Sequence, residues 1–118
     1  MSTITPRPWG IFEVMESGPG YCAKRLVIDP GQRLSLQLHQ HRSEKWLVVR
    51  GSGSALVNGK TFSLNVGTVV DVPKGAIHRL QANPLTALIV VEVATGDDIR
   101  EDDIQRLEDD YGRAGTAR

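Results

Sequence analysis

Between Tyr21 and Ala94 the chain alternates apolar and polar residues with period two, and glycine, proline or asparagine breaks the pattern every few residues. A two-residue period sends successive side chains to opposite faces of an extended strand, so such segments are half-buried strands joined by tight turns. The patterning predicts an all-β chain closed into a sandwich or barrel. Expected strands run from Tyr21 to Asp29, Arg33 to His41, Glu44 to Val49, Ser54 to Val57, Lys60 to Leu64, Thr68 to Val72, Ala76 to Gln81 and Thr86 to Ala94. The Asn58-Gly59 pair supplies the left-handed conformations of a type I′ hairpin turn between two of them.

From Asp97 to Arg113 the pattern changes. Acidic residues cluster, and Ile104 and Leu107 sit three apart, which predicts a short C-terminal helix over about 99–113 with Asp102, Asp103, Asp109 and Asp110 on its solvated face. A chain of 118 residues has room for one core, so residues 1–118 are expected to form a single domain with the barrel over about 8–96. Fourteen basic side chains balance fourteen acidic ones, which leaves no overall field to attract nucleic acid or an anionic membrane. The N-terminus carries no basic segment followed by an apolar run, and no window approaches the roughly 18 apolar residues of a membrane span, so the expected location is cytoplasmic. Cys22, alone, excludes an internal disulfide and reads as a small buried residue.

The stretch SLQLHQHRSEKW, from Ser35 to Trp46, carries the chemistry. On one continuous strand Gln37, His39 and His41 project to one face, about 6.6 Å apart at roughly 3.3 Å per residue. Glu44 lies just beyond, where a bend returns its carboxylate to the same point, and His78 follows the turn Pro73-Lys74-Gly75 on a separate strand. Three imidazoles and a carboxylate, His39, His41, His78 and Glu44, suit one divalent zinc, manganese, iron, cobalt or nickel ion without choosing among them. A His-x-His pair taken alone is more often a solvated strand face. The third histidine beside a turn is what favours a metal site.

Two stretches, Gly31-x5-Gln37-x-His39-x4-Glu44-x6-Gly51 and Gly67-x5-Pro73-x-Gly75-x2-His78, resemble the two motifs of the cupin superfamily, which implies a double-stranded β-helix, or jelly-roll, barrel. Depending on whether the glycine or the histidines set the register, either Gln37 or His41 is the ligand beside His39. The stretches Arg7-Pro8-Trp9-Gly10, Pro30 to Gln37, His39-x-His41-Arg42-Ser43-Glu44-x-Trp46, Pro73-x-Gly75-x2-His78-Arg79-Leu80, Glu101-Asp102-Asp103-Ile104-x-Arg106 and Asp110-Tyr111-Gly112-Arg113 resemble the C-terminal cupin domain of type II phosphomannose isomerases. Those enzymes commonly join this domain to a mannose-1-phosphate guanylyltransferase, for which this sequence has no room, so the expectation is the cupin part standing alone. Where the family usually carries two further histidines and a glutamine, this chain has Gln40, Lys45 and Ala94.

The resemblance implies metal-dependent interconversion of mannose 6-phosphate and fructose 6-phosphate. In that reaction the proton carrier is expected to be Glu44, Lys45 or Lys74, and the substrate is expected to meet Gln37, Arg33, Arg42, Arg79 or Arg113. Trp9, Trp46 and Tyr111 read as packing residues. Other readings are a cupin of different chemistry, such as a dioxygenase, and a non-catalytic cupin that binds a sugar or sugar phosphate. Exposed sheet edges and the RPWG stretch, taken as a strand, predict a homodimer.

Overall fold

The computed structural model describes residues 3–97, 99–100 and 102–116. Among them there are twelve strands and no helix. Six form one antiparallel sheet in the order β1 (Thr3–Arg7), β2 (Gly10–Gly18), β3 (Tyr21–Ile28), β10 (Leu88–Gly96), β5 (Arg42–Arg50), β8 (Val69–Val72). The other six form a second sheet in the order β12 (Gly115–Thr116), β11 (Gln105–Glu108), β4 (Leu36–Leu38), β9 (His78–Ala82), β6 (Gly53–Val57), β7 (Lys60–Leu64). The chain crosses between sheets rather than finishing one before starting the other, which gives a jelly-roll barrel with its apolar core between the two inner faces.

Strict alternation fills that core. On β3 the inward residues are Cys22, Lys24, Leu26 and Ile28; on β5 they are Arg42, Glu44, Trp46 and Val48; on β10 they are Leu88, Val90, Glu92 and Ala94. At one end these strands contribute only aliphatic and aromatic groups, with Ile28, Trp46, Val48, Leu88 and Val90 almost wholly enclosed against Leu64 and Leu80 of the other sheet. Toward the other end the same alternation turns Lys24, Arg42, Glu44 and Glu92 inward. Charged residues at buried positions are uncommon without partners or a function, so the polar end is where a site belongs.

Turn chemistry fixes the strand registers. Asn58 and Gly59 both have positive φ, 48° and 81°, and close the β6–β7 hairpin as a type I′ turn. Pro8 and Trp9 form the turn of the β1–β2 hairpin, in which Arg7 faces Gly10 and Trp9 drops into the core. RPWG is therefore a fold-back within the chain and not a free strand.

The expected C-terminal helix is absent. Residues 105–108 instead run antiparallel to β4, with Gln105 opposite Leu38 and Arg106 opposite Gln37. The helical spacing of Ile104 and Leu107 gives way to the open hydrogen-bonding edge of the three-residue β4, which this segment covers. The acidic residues there divide: Asp102 and Asp110 are exposed, as expected, with Asp110 holding Arg33, whereas Asp103 is buried and Asp109 holds Arg113. Glu101, from the same stretch, lies outside the described residues.

Gly51 shows how tightly the barrel closes. It has φ +80°, and a Cβ there would come within 1.9 Å of the Ala87 carbonyl oxygen, whereas Gly59, with φ +81°, has nothing within 4 Å of that position. Gly59→Ala should lose only the strain of a left-handed residue, about 1–3 kcal/mol, and Gly51→Ala should lose clearly more because backbone must move. Urea denaturation of the two variants tests this, with equal losses counting against so close an approach of Gly51 to Ala87.

Candidate metal centre and its cavity

His39 follows β4, Glu44 lies on β5 and His78 opens β9, so three separate elements converge. Their ligand-type atoms all lie within 4.8 Å of one another, and all three residues are buried. His39 Nε2 is 3.2 Å from Glu44 Oε2, and His78 Nε2 is 3.9 Å from Glu44 Oε1. Each imidazole has its other nitrogen tied to the backbone: His39 Nδ1 donates to the Asp103 carbonyl at 2.5 Å and His78 Nδ1 donates to the Ala76 carbonyl at 2.9 Å. This fixes the tautomers and turns both Nε2 lone pairs toward Glu44, the arrangement in which imidazoles bind metals.

Burial acts in the same direction. Desolvation, helped by the Arg42 cation and by His78, pushes the His39 imidazolium down to about 4, and desolvation lowers His78 as well. Both rings are therefore neutral at pH 7. Trp46 Nε1 donates to Glu44 Oε1 at 3.2 Å, while the Arg42 guanidinium donates Nε to Glu44 Oε2 at 3.0 Å and Nη2 to His39 Nε2 at 3.1 Å. The donor set, two neutral imidazoles and a carboxylate with their outer contacts supplied, fits a first-row divalent ion.

These side chains line one end of a cavity of about 430 Å³. Gln37 lies directly across the β4–β9 ladder from His78 and lines the cavity with it. His41 does neither. The Asp103 carboxylate accepts the Gln40 and His41 N–H groups at 3.0 and 2.9 Å, which bends the chain after His39. The alternation restarts one residue out of phase, so His41 is exposed and Arg42 points inward. Gln37, not His41, is the residue that stands beside His39.

The expected substrate and proton-transfer residues divide in the same way. Arg42 and Arg113 line the cavity. Lys45 is exposed on the outer face of β5, paired with Asp71, and Lys74 is exposed in the turn before β9. Arg33 lies outside, held by both carboxylate oxygens of Asp110. Arg79 points away from the cavity, donating to the Leu34 carbonyl and to Glu108. Strand parity explains Lys45 and Arg79, each one residue away from inward positions on β5 and β9, whereas Lys74 sits in a turn and Arg33 lies outside the named strands. Four charged residues that line the cavity had no expected role, Arg7, Lys24, Glu92 and Arg106. Lys24 and Glu92 were legible in principle, because both fall in the inward phase of their strands, and they face each other across the β3–β10 ladder. Burial and the neighbouring Glu44 push the Glu92 carboxyl up to about 7.

Comparison with known proteins accords with this geometry. The family model described as mannose-6-phosphate isomerase C-terminal matches residues 2–109. This chain belongs to that family. It is 44% identical over 108 residues to the alginate biosynthesis protein AlgA of Pseudomonas aeruginosa, covering 91% of this chain and 22% of AlgA. It is 39% identical over 107 residues to the mannose-1-phosphate guanylyltransferase ManC of Salmonella typhimurium, again 91% of this chain and 22% of that protein. The chain thus spans under a quarter of the length of these curated relatives. Among solved structures, a cupin-2 domain from Rhodospirillum rubrum superposes with a TM-score of 0.70 at 20% identity, covering 87% of this chain and 77% of that one. The barrel is a cupin. Among the described residues no helix is long and apolar enough to cross a membrane. Of the three departures from the usual family residues, Gln40 and Lys45 are exposed, while Ala94 is buried opposite Glu44 and is the one that changes the site's surroundings.

The placement of these groups can be tested in two ways. Purified His41→Gln should retain divalent metal at the wild-type stoichiometry by elemental analysis, whereas His39→Gln should lose at least about 10-fold in metal affinity; equal loss in both would restore His41 as a ligand. In chelator-treated protein, His39 with its lowered folded pKa contributes stability that is present above about pH 6.5 and lost as pH falls toward 4. Glu92, with its raised folded pKa, contributes the opposite: stability present below about pH 4.5 and lost as pH rises toward 7. Relative to wild type, Glu92→Gln should therefore gain stability progressively from pH 4.5 to 7 in urea denaturation, and a pH-independent difference would contradict the assignment.

Proposed function

We propose that this chain catalyses the metal-dependent interconversion of mannose 6-phosphate and fructose 6-phosphate. The observation that carries the reading is the His39, Glu44 and His78 group set at one end of a cavity also lined by five cations, Arg7, Lys24, Arg42, Arg106 and Arg113. A divalent ion held there would supply Lewis acidity to the carbonyl and adjacent hydroxyl of an open-chain sugar. The chain's own residues do the rest. His39 and His78 stay neutral and are aimed by Asp103 and Ala76; Trp46 and Arg42 orient the Glu44 carboxylate. The cations supply the positive field that a sugar phosphate requires.

Aldose–ketose isomerisation moves a proton between C2 and C1, and the carrier must lie inside the cavity. Lys45 and Lys74, both exposed and outside it, are excluded from that task. Glu92 is the better candidate than Glu44, which is committed to the metal group: it lines the same cavity, and its carboxyl titrates near 7, where a group both accepts and returns a proton. Trp9, Phe12 and Leu26 wall the cavity with apolar surface that keeps water from competing.

A second reading is favoured by one contact. Arg42 donates to both His39 Nε2 and Glu44 Oε2, so the polar group is satisfied within the protein and the barrel also has the means to bind a sugar phosphate without turning it over. A coupled assay of fructose 6-phosphate formation, run with zinc, manganese, iron, cobalt and nickel before and after chelation, separates the two. The isomerase reading expects turnover with at least one ion, its loss on chelation, and a fall of at least about 100-fold in Glu44→Gln. Binding of mannose 6-phosphate with no turnover under any ion would select the second reading.

A further inference from the structure

Arg7 and Lys24 converge on one aromatic ring inside the cavity. The Arg7 guanidinium carbon lies 4.9 Å from the Phe12 ring centroid, and Lys24 Nζ lies 4.7 Å from the same centroid. They come from different strands, β1 and β3, and Phe12 stands on β2 between them. Two cations gathered on one ring repel each other, and the ring's quadrupole attraction offsets only part of that cost. Glu92 stands opposite Lys24, and an anion at the Arg7 side of the ring would offset the remaining repulsion.

Two of the other cavity cations are already engaged. Arg42 is committed to Glu44 and His39, and Arg113 is held by both oxygens of Asp109 at 3.0 and 3.1 Å. Arg7 differs: among the described residues no carboxylate lies within ion-pair distance of it, and the hydrogen bond its side chain makes there donates Nη1 to the Pro6 carbonyl at 3.0 Å. A guanidinium has five N–H donors, so most of the Arg7 fork remains for a ligand. It is also held in place, since it ends the β1–β2 hairpin whose turn residue, Trp9, anchors in the core. Lys24 is buried beside Glu92, which keeps the ammonium at the cavity wall instead of in solvent.

We propose that Arg7 and Lys24, gathered on Phe12, form a phosphomonoester subsite, distinct from the metal group, that anchors the phosphate of the substrate. Lys24 is separated from the strand of Glu44 by β10 alone, about 10 Å across the sheet at roughly 4.8 Å per strand, and curvature of the barrel shortens that path. This is the length scale of a hexose 6-phosphate laid with C1 and C2 at the metal group and the phosphate at Arg7. The inference rests on the sugar-phosphate reading and assigns the phosphate end of it. Arg7 then acts through uniform binding, present in ground state and transition state alike, and its loss raises KM more than it lowers kcat.

The test is calorimetric titration of the full chain with inorganic phosphate, mannose 6-phosphate and unphosphorylated mannose, in wild type, Arg7→Gln, Arg7→Lys and Lys24→Met. Arg7→Gln should weaken phosphate and mannose 6-phosphate at least about 10-fold, the scale of one charge-assisted contact, and leave mannose unchanged. Arg7→Lys should recover part of that loss. Because Arg7 is only half-buried, its variants are expected to fold even if Lys24→Met does not, so Arg7 decides the matter. Unchanged phosphate affinity in Arg7→Gln overturns the subsite whether or not wild type isomerises. If wild type shows Arg7-dependent phosphate binding without turnover, the subsite stands and the isomerase reading falls.

Discussion

Asp103 organises the site from outside the barrel's own strands. Its carbonyl accepts the His39 Nδ1 proton, and its carboxylate accepts the N–H groups of Gln40 and His41, so one residue of the C-terminal segment sets both a ring orientation and a backbone bend. Burial opposes ionisation of that carboxyl, but the two N–H donors outweigh it and hold the group below the usual carboxylate range. Without the bend, β4 and β5 would continue in one phase, His41 would face inward and Arg42 and Glu44 would face solvent. The His39, Glu44 and His78 grouping thus depends on a segment 64 residues beyond His39 in sequence. That segment reaches it because β4 is too short to leave its other edge uncovered, and β11 supplies the missing partner.

The same dependence explains what is and is not legible in the residues. Period two and the Asn58-Gly59 pair are local signals, and the all-β barrel and the β6–β7 hairpin follow from them directly. His39, Glu44 and His78 are legible as a set because the cupin motif spacing encodes the barrel that joins them. His41 misleads because a bend held by Asp103 is a long-range contact, invisible to a rule that counts alternate residues along one strand. The C-terminal segment misleads for the reverse reason: Ile104 and Leu107 offer a local helical spacing, and a tertiary demand, the open edge of β4, overrides it. Lys45 and Lys74 attract attention by nearness in sequence to the motifs, whereas Lys24 and Glu92, distant in sequence, have the correct parity. Strand parity is the better guide to the cavity than sequence proximity.

The polar end of the barrel is expensive to maintain. Lys24, Arg42, Glu44 and Glu92 all occupy inward positions on three adjacent strands, positions that at the other end of the same strands hold Ile28, Val48 and Val90. Replacing buried ionic clusters with apolar residues of similar volume is often neutral or stabilising, so stability alone does not account for four charges kept there. Pairing ties Arg42 to Glu44 and sets Lys24 opposite Glu92, yet Glu92 also sits next to Glu44 and its carboxyl rises toward 7, through burial first and that neighbour second. A like-charged carboxyl neighbour is a cost to folding, and perturbed carboxyls of this kind cluster at functional sites, so Glu92 marks the His39, Glu44 and His78 end of the cavity as the candidate site.

Arg42 bears on the same balance. Its guanidinium neutralises Glu44 and donates to His39 Nε2, which lowers the electrostatic cost of placing a carboxylate and two aligned lone pairs in a buried pocket. A divalent ion held by His39, Glu44 and His78 would compete for the same residues. Holding it would require Arg42 to loosen at least one of its two contacts, which would return a cation to the cavity beside His39 and Glu44. The positive field available to an anionic substrate would then be greatest when the ligands are engaged, coupling the metal group to substrate charge through a single side chain. Parity places that side chain inward only because Asp103 bends the chain before it, so the coupling and the ligand geometry have one structural origin.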